Sequence, residues 1–243
     1  MDQLLIAKYP DLERDHFWWS TRRALVSRIF GECHPGGAAS VLDVGCGSGI
    51  TSAMLAERGA DVVGIDMDLG CLIPPESGVS YVQGDYLKKS PDLGLFDFVV
   101  ALDSVEHFEN ELSVMRALAA NTRDGGKALV TVPAFDWLWT SLDDQNTHYR
   151  RYTRRRLAGA LETAGFEIDR VGYIFPTLIA PKAAITLVER LRSKPGPTGT
   201  DVVGWVNDLA EAYFQVETRV GASFKNFWPF GSSVVALATR RQE

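Results

Sequence analysis

The sequence predicts a doubly wound α/β domain, and three observations carry that expectation: seven short apolar runs, helix-period segments between several of them, and a glycine-rich turn directly after the first run. The runs lie at 40–44, 61–65, 79–83, 97–102, 127–132, 168–174 and 233–239. Most are continuous in Val, Ile and Leu, which is how a strand covered on both faces reads. Apolar residues recur at helical spacing over 50–58, 109–120 and 153–164, so these segments are expected to cross back over the sheet.

Two connections depart from simple alternation. Between the second and third runs, 69–78 contains Pro74, Pro75 and Gly78, so any crossover helix there is short or absent. The stretch 175–232 is far longer than an ordinary loop and has to carry structure of its own. Within it 181–192 and 201–224 have helical spacing and 193–200 is rich in turn residues, which predicts a helical insertion at about 177–226. Ahead of the first strand, 11–30 reads as helix with Trp18, Leu25 and Ile29 on or near one face. Pro35, Gly36 and Gly37 mark a linker over 31–39. The expected organisation is an N-terminal helical cap, 1–38, followed by one domain over 39–243.

With 243 residues, 46% hydrophobic and 23% charged, the chain can bury one sizeable core and is neither globally disordered nor fibrous. A net charge of −6 disfavours indiscriminate nucleic-acid binding. Cys33, Cys46 and Cys71 have no paired spacing. They suit neither a disulfide framework nor a structural zinc site, so no metal is expected and a reducing cytoplasm is the natural setting. The apolar run 4–7 is too short for the core of a secretory signal. Pro176, Pro181 and Lys182 break the most apolar stretch, 171–191, so it falls short of the ~20 uninterrupted apolar residues of a spanning helix.

The strongest local signal is Val41-Leu42-Asp43-Val44-Gly45-Cys46-Gly47-Ser48-Gly49. Here a buried strand runs into a turn whose glycines permit positive φ and let a ligand touch the backbone. A plain tight turn would also use such residues; the spacing and charge decide which ligand fits. A dinucleotide fingerprint needs its third glycine at position 50, which is Ile50. Asp43, just before the first glycine, would repel a pyrophosphate and attract a cation. S-adenosylmethionine carries an ammonium and a sulfonium and no phosphate, so it suits an acidic residue beside a glycine turn.

On these residues the chain resembles the class I S-adenosylmethionine-dependent methyltransferases, whose first motif, (D/E)xGxGxG, is matched over 43–49. The resemblance covers 40–133 well and the last two strands more loosely. It implies a Rossmann-like seven-stranded sheet, mostly parallel with an antiparallel last strand. It also implies that Asp66, ending the second strand, binds the ribose hydroxyls, that Met67 packs on adenine, and that Gly84-Asp85-Tyr86 reaches the adenine amino group. The stretch from Phe96 through Leu102 and Asp103 to His107 is similar to the one that passes beneath the methionine portion, and Asp124-Gly125-Gly126-Lys127 to the Gly-Gly turn before the fifth strand. The implied cofactor set is Arg22, Asp43, Gly45, Cys46, Gly47, Asp66, Met67, Gly84, Asp85, Tyr86 and Leu102. The position of Asp66 has a physical basis of its own. A carboxylate at a strand end about 20 residues past a glycine turn lies beside the crevice and can accept two hydroxyl bonds.

Methyl transfer requires a nucleophile held in line with the methyl group and water kept out, with a base where the nucleophile is a hydroxyl. Asp103, His107 and His148 are the titratable candidates for catalysis near the strand ends. Trp18, Trp139, His148, Tyr149, Arg150 and Arg151 are candidates to line the substrate pocket, with Arg154, Arg155 and Arg156 reading in part as a solvated helix face. The cluster 16–23 brings aromatics to Arg22 and Arg23, either of which could meet the methionine carboxylate. The expected acceptor is a small molecule with an oxygen or nitrogen nucleophile, of natural-product or sugar-like type. Leu102-Asp103-Ser104-Val105 lacks the Asn/Asp-Pro-Pro-aromatic motif of nucleobase N-methylation. The apolar insertion, with Trp205, Tyr213, Phe214 and nearby Phe227, could form a second lid, a homodimer contact or a membrane-surface contact. Two other readings compete: a nicotinamide-dependent oxidoreductase on a similar sheet, weakened by Ile50 and Asp43, and a non-catalytic module that has kept the fold.

Overall fold

The computed structural model of the chain describes residues 11, 13–72, 78–192, 204–224 and 226–242. All seven expected strands are present: β1 (Ser40–Val44), β2 (Asp61–Asp66), β3 (Val79–Gln83), β4 (Phe96–Leu102), β5 (Thr122–Pro133), β6 (Phe166–Ile174) and β7 (Ser233–Arg240). They form one sheet in the order β3-β2-β1-β4-β5-β7-β6. β1 pairs in parallel with β2 and β4, β2 with β3, and β4 with β5, whereas β7 runs antiparallel between β5 and β6. The strand order reverses between β1 and β4, so the connections leaving their carboxyl ends diverge and open a crevice there.

Eight helices flank the sheet among the described residues: α1 (Phe17–Cys33), α2 (Ile50–Glu57), α3 (Tyr86–Leu93), α4 (Glu111–Asn121), α5 (Ser141–Gln145), α6 (Arg154–Thr163), α7 (Ile179–Arg192) and α8 (Gly204–Ser223). Alternate residues of the central strands point to opposite faces and meet different helices. Leu42, Val99, Ala101 and Val130 pack with Met115 and Leu118 of α4 and with Leu157 and Leu161 of α6. Val41, Phe98, Val100 and Leu129 pack with Leu25, Ile29 and Phe30 of α1, Leu55 of α2 and Phe214 of α8. α1 therefore completes one helical layer. Its start is tied to α8, where the Phe17 N–H donates to Asn207 Oδ1 at 2.9 Å and the Phe17 and Phe214 rings stack 5.0 Å apart.

Three elements differ from the sequence expectation: α5, capped by Thr140 and Asp143, lies where no helix is expected, and α3 and β5 differ as well. α3 has no counterpart in that expectation; its first turn is capped by the Asp85 side chain, which accepts from Leu87 N–H. β5 starts before 127 because Thr122 pairs with Phe96 and Lys127 with Phe98, so Asp124-Gly125-Gly126 bulges out between them. Between β2 and β3, residues 67–72 are not helical. Pro74 and Pro75 lie outside the described residues, as do the apolar run 4–7 and the turn-rich 193–200. Among the described residues, no helix is long and apolar enough to cross a membrane.

Candidate active site

The carboxyl end of β1 enters the glycine turn. Gly45, at φ +77°, needs to be glycine, since a Cβ there would meet the Ser104 Cβ at 2.6 Å. Its N–H donates to the Ile65 carbonyl at 2.8 Å, locking the turn against β2. Asp43 lies buried beneath the turn and accepts a bond from Ser52 Oγ at 2.7 Å. Burial, assisted by the nearby charges of Glu13 and Asp66, pushes its carboxyl up to about 7. Asp66 is half-buried at the end of β2, where Oδ2 accepts the Gly47 N–H at 3.0 Å and Oδ1 the Asp68 N–H at 3.1 Å.

A third carboxylate reaches the turn from outside any motif. Glu13, in a helical stretch that ends at the bend before α1, accepts the Ser48 N–H at 2.9 Å and the Ser48 hydroxyl, and its backbone carbonyl accepts from Arg23. Burial raises its carboxyl above the usual range despite these bonds. No spacing rule singles out Glu13, because its partner is 35 positions away and the contact is set by how α1 crosses the sheet.

The remaining cofactor candidates divide. Met67 is exposed beside Asp66, and Gly84, at φ +144°, follows β3 at the same edge. Asp85 stands there too, but its carboxylate is engaged with the α3 cap and lies 3.5 Å from Lys88 Nζ. Tyr86 turns away from the crevice: it is buried in the core, where its hydroxyl donates to Asn121 Oδ1 at 3.0 Å. The Cys46 side chain is also buried, packed near Gly64, with burial raising its thiol well above the usual range. Only the Cys46 backbone faces the turn's hydrogen bonding, through its N–H to Ile65.

At the end of β4, Leu102 is half-buried and Asp103 adopts φ +45°, a strained conformation for a residue with a side chain. Three contacts hold it: its N–H donates to the Thr131 carbonyl at 2.9 Å, its carboxylate accepts from Thr131 Oγ1 at 3.4 Å, and the same carboxylate pairs with buried Arg22. Arg22 also donates to Thr131 Oγ1 at 3.1 Å, while Arg23 is turned to the carbonyls of Glu13 and Arg14. Of the two arginines, Arg22 is the one at the crevice.

Just beyond, a one-turn 3-10 helix (Val105–His107) brings Glu106 and His107 against His148 from the α5–α6 connection. The two imidazoles meet edge-on with ring centres 4.7 Å apart. Desolvation, with His148 adding, pushes His107 down to about 4, so it is neutral near pH 7. The His148 Nδ1 lies 2.9 Å from Asp143 Oδ1. Burial alone would raise Asp143, but the bonds from His148 and Arg151 outweigh it and hold the carboxyl well below its usual range. Glu106 is fully buried, and burial pushes it up to about 8 against the opposing charges of Arg22 and Arg151.

Among the substrate-pocket candidates, Arg151 is committed to structure, donating to both oxygens of Asp143 at 2.9 and 2.7 Å and to the Ala134 carbonyl. Arg150 lies over the Tyr149 ring and donates to the Glu109 carbonyl; Tyr149 itself is exposed. Trp139 bonds Asp144 at 2.9 Å. Trp18 stacks on Phe175 and carries the Lys182 ammonium 4.0 Å above its ring. Burial, with the charges of Arg151 and Arg22, lowers Lys182 to about 7. The sequence offered Lys182 only as a break in an apolar stretch; its position depends on how α7 folds back over the crevice.

A family model for the methyltransferase domain matches residues 14–171. A ubiquinone biosynthesis O-methyltransferase from Aeromonas salmonicida is 39% identical over 37% of this chain and 42% of its own length; one from Xanthomonas axonopodis pv. citri is 32% identical over 55% of this chain and 64% of its own. The chain thus spans between two fifths and two thirds of these relatives. A putative sarcosine dimethylglycine methyltransferase from Galdieria sulphuraria shares the fold at TM-score 0.58 and 14% identity, covering 92% of this chain and 87% of that one. The glycine turn, the crevice at the β1/β4 reversal and the family match agree: this chain belongs to the methyltransferase-domain family.

Proposed function

We propose that the chain transfers a methyl group from S-adenosylmethionine to an oxygen or nitrogen of a small-molecule acceptor. The observation that carries this reading is the set of three carboxylates, Asp43, Asp66 and Glu13, gathered around one glycine turn at the β1/β4 crevice. Such a surround repels a pyrophosphate and suits a cationic nucleoside, which also sets aside the nicotinamide reading. The O-methyltransferase names of the relatives favour an oxygen acceptor.

The residues present fit the cofactor. The turn at Gly45 and Gly47 would carry the adenosyl donor once the Glu13 carboxylate, which packs against Gly47, gives way; Asp66 would take the ribose hydroxyls, Met67 beside it the base, and Arg22 with Asp103 the methionine end. When bound, S-adenosylmethionine supplies a sulfonium-activated methyl group. The chain's own task is to orient the acceptor, exclude water and provide a basic group where the acceptor loses its proton. His148 is that group, with Asp143 fixing its tautomer, while His107, pushed down to about 4, stands beside it as a neutral imidazole. Trp18, Lys182 and Tyr149 line the acceptor side, and α1 with α7 and α8 covers it.

A screen with labelled methyl donor against hydroxyl, amine and carboxylate acceptors tests the reading. Label transferred to at least one small hydroxylated or amino compound supports it. Transfer to none, with NAD bound instead, contradicts it.

A further inference from the structure

We propose that Glu106, His107 and His148 form a binding site for one divalent transition-metal ion at the acceptor end of the crevice. One ligand atom of each residue lies within 4.8 Å of the other two, close enough for metal bonds of about 2.0–2.2 Å after small side-chain rotations. The spacing of these residues in the sequence predicted no metal site. The α5–α6 connection, which returns His148 to the end of β4, creates the grouping.

The hydrogen bonds around the cluster leave lone pairs where a cation would use them. Asp143, bonded by Arg151 through both oxygens, can only accept from His148 Nδ1, which puts the imidazole lone pair on Nε2. One ring N–H of His107 goes to the Asn146 carbonyl, which puts the lone pair on the other nitrogen. Both histidines therefore have the outer acceptor that metal-bound imidazoles normally have.

Glu106 supplies the independent observation. It is fully buried, and neither carboxylate oxygen accepts a hydrogen bond from another described residue. The two nearest guanidinium groups are bound elsewhere, Arg22 to Asp103 and Arg151 to Asp143. A buried carboxyl without such bonds leaves its lone pairs unused, and a coordinated cation would occupy them in place of a proton. Two imidazoles and one carboxylate suit Zn²⁺, Fe²⁺ or Co²⁺ better than Mg²⁺ or Ca²⁺, which favour all-oxygen sites. Three protein ligands also leave a coordination position open, at which an acceptor oxygen could dock and lose its proton to solvent under the metal's charge, so that with metal bound the imidazoles act as ligands and not as bases. That role rests on the methyl-transfer reading; the site itself does not.

The test uses the whole chain stripped with a chelator. Titrated with Zn²⁺, and with Co²⁺ for its visible spectrum, the protein is expected to bind one equivalent with a Kd below about 10 µM. Glu106→Gln, which preserves shape, and His148→Ala are each expected to weaken binding at least ~100-fold, beyond the 10–100-fold that losing an outer partner costs. Because the chain has 4 histidines, imidazole NMR of the unaltered protein gives a readout independent of variant folding. His107 and His148 signals should move on adding Zn²⁺, and those of His16 and His34 should stay. Binding only in the millimolar range, binding unchanged in both variants, or shifts confined to His16 and His34 would overturn the site. S-adenosylhomocysteine is titrated separately: its failure to bind alongside tight Zn²⁺ binding would remove the proposed role and leave the site standing.

Discussion

Asp43 is the residue in which sequence logic and structure meet least simply. The charge argument placed it beside a cationic ligand, yet it lies under the turn with a carboxyl near 7. Its pKa is raised above the unfolded value of 3.8, so the folded chain holds a proton there that the unfolded chain releases, and stability falls as pH rises from about 4 to 7. Asp43→Asn keeps an acceptor for Ser52 and removes this dependence. Its unfolding free energy should gain on the parent's between pH 4 and 8, by at most roughly 4 kcal/mol, in denaturant titrations. A bound cation reverses the sign by favouring the ionised form. Affinity for S-adenosylmethionine should therefore weaken as pH drops below 7, by up to about tenfold per unit, in calorimetry with the parent and not with Asp43→Asn. A second prediction at this scale concerns His148. Its replacement by Ala should lower turnover at least ~100-fold while S-adenosylhomocysteine still binds, because His148 acts only at the acceptor, as base without a metal or as ligand with one.

At the scale of elements, the strands and the glycine turn were legible because both are local. Continuous Val/Ile/Leu runs specify buried strands, and the spacing over 43–49 specifies the turn. The positions of Asp66 and Asp103 follow from strand ends alone. What was not legible depends on distant segments meeting. Glu13 on the turn, Lys182 over Trp18 and Glu106 beside His148 all arise from α1, α7 and the α5–α6 connection converging on one edge. Tyr86 illustrates the reverse error: adjacency to Asp85 placed it at the site, whereas the first turn of α3 rotates it into the core. The α1–α8 joint gives a direct test of this convergence. Asn207 accepts from Phe17 N–H and donates to the Asp15 carbonyl, so Asn207→Ala should cost about 1–3 kcal/mol and speed amide exchange at the start of α1, leaving the sheet protected.

For the whole molecule, the sheet supplies a rigid edge and two helical additions roof it. α1 is built into the core as firmly as the strands, with Ile29 and Phe30 fully buried, so the roof over the donor side is part of the fold's stability. The outer face of α8 instead exposes Trp205, Leu209, Val216 and Val220. The central claim is that the crevice between β1 and β4 takes a cationic adenosyl donor, and calorimetric titration with S-adenosylhomocysteine and with NAD tests it most directly. The account predicts one equivalent of S-adenosylhomocysteine bound per chain, at least ~10-fold weaker in Asp66→Ala through loss of a charge-assisted hydrogen-bond pair, and no heat with NAD. Binding of NAD alone, or S-adenosylhomocysteine affinity indifferent to Asp66, would contradict it.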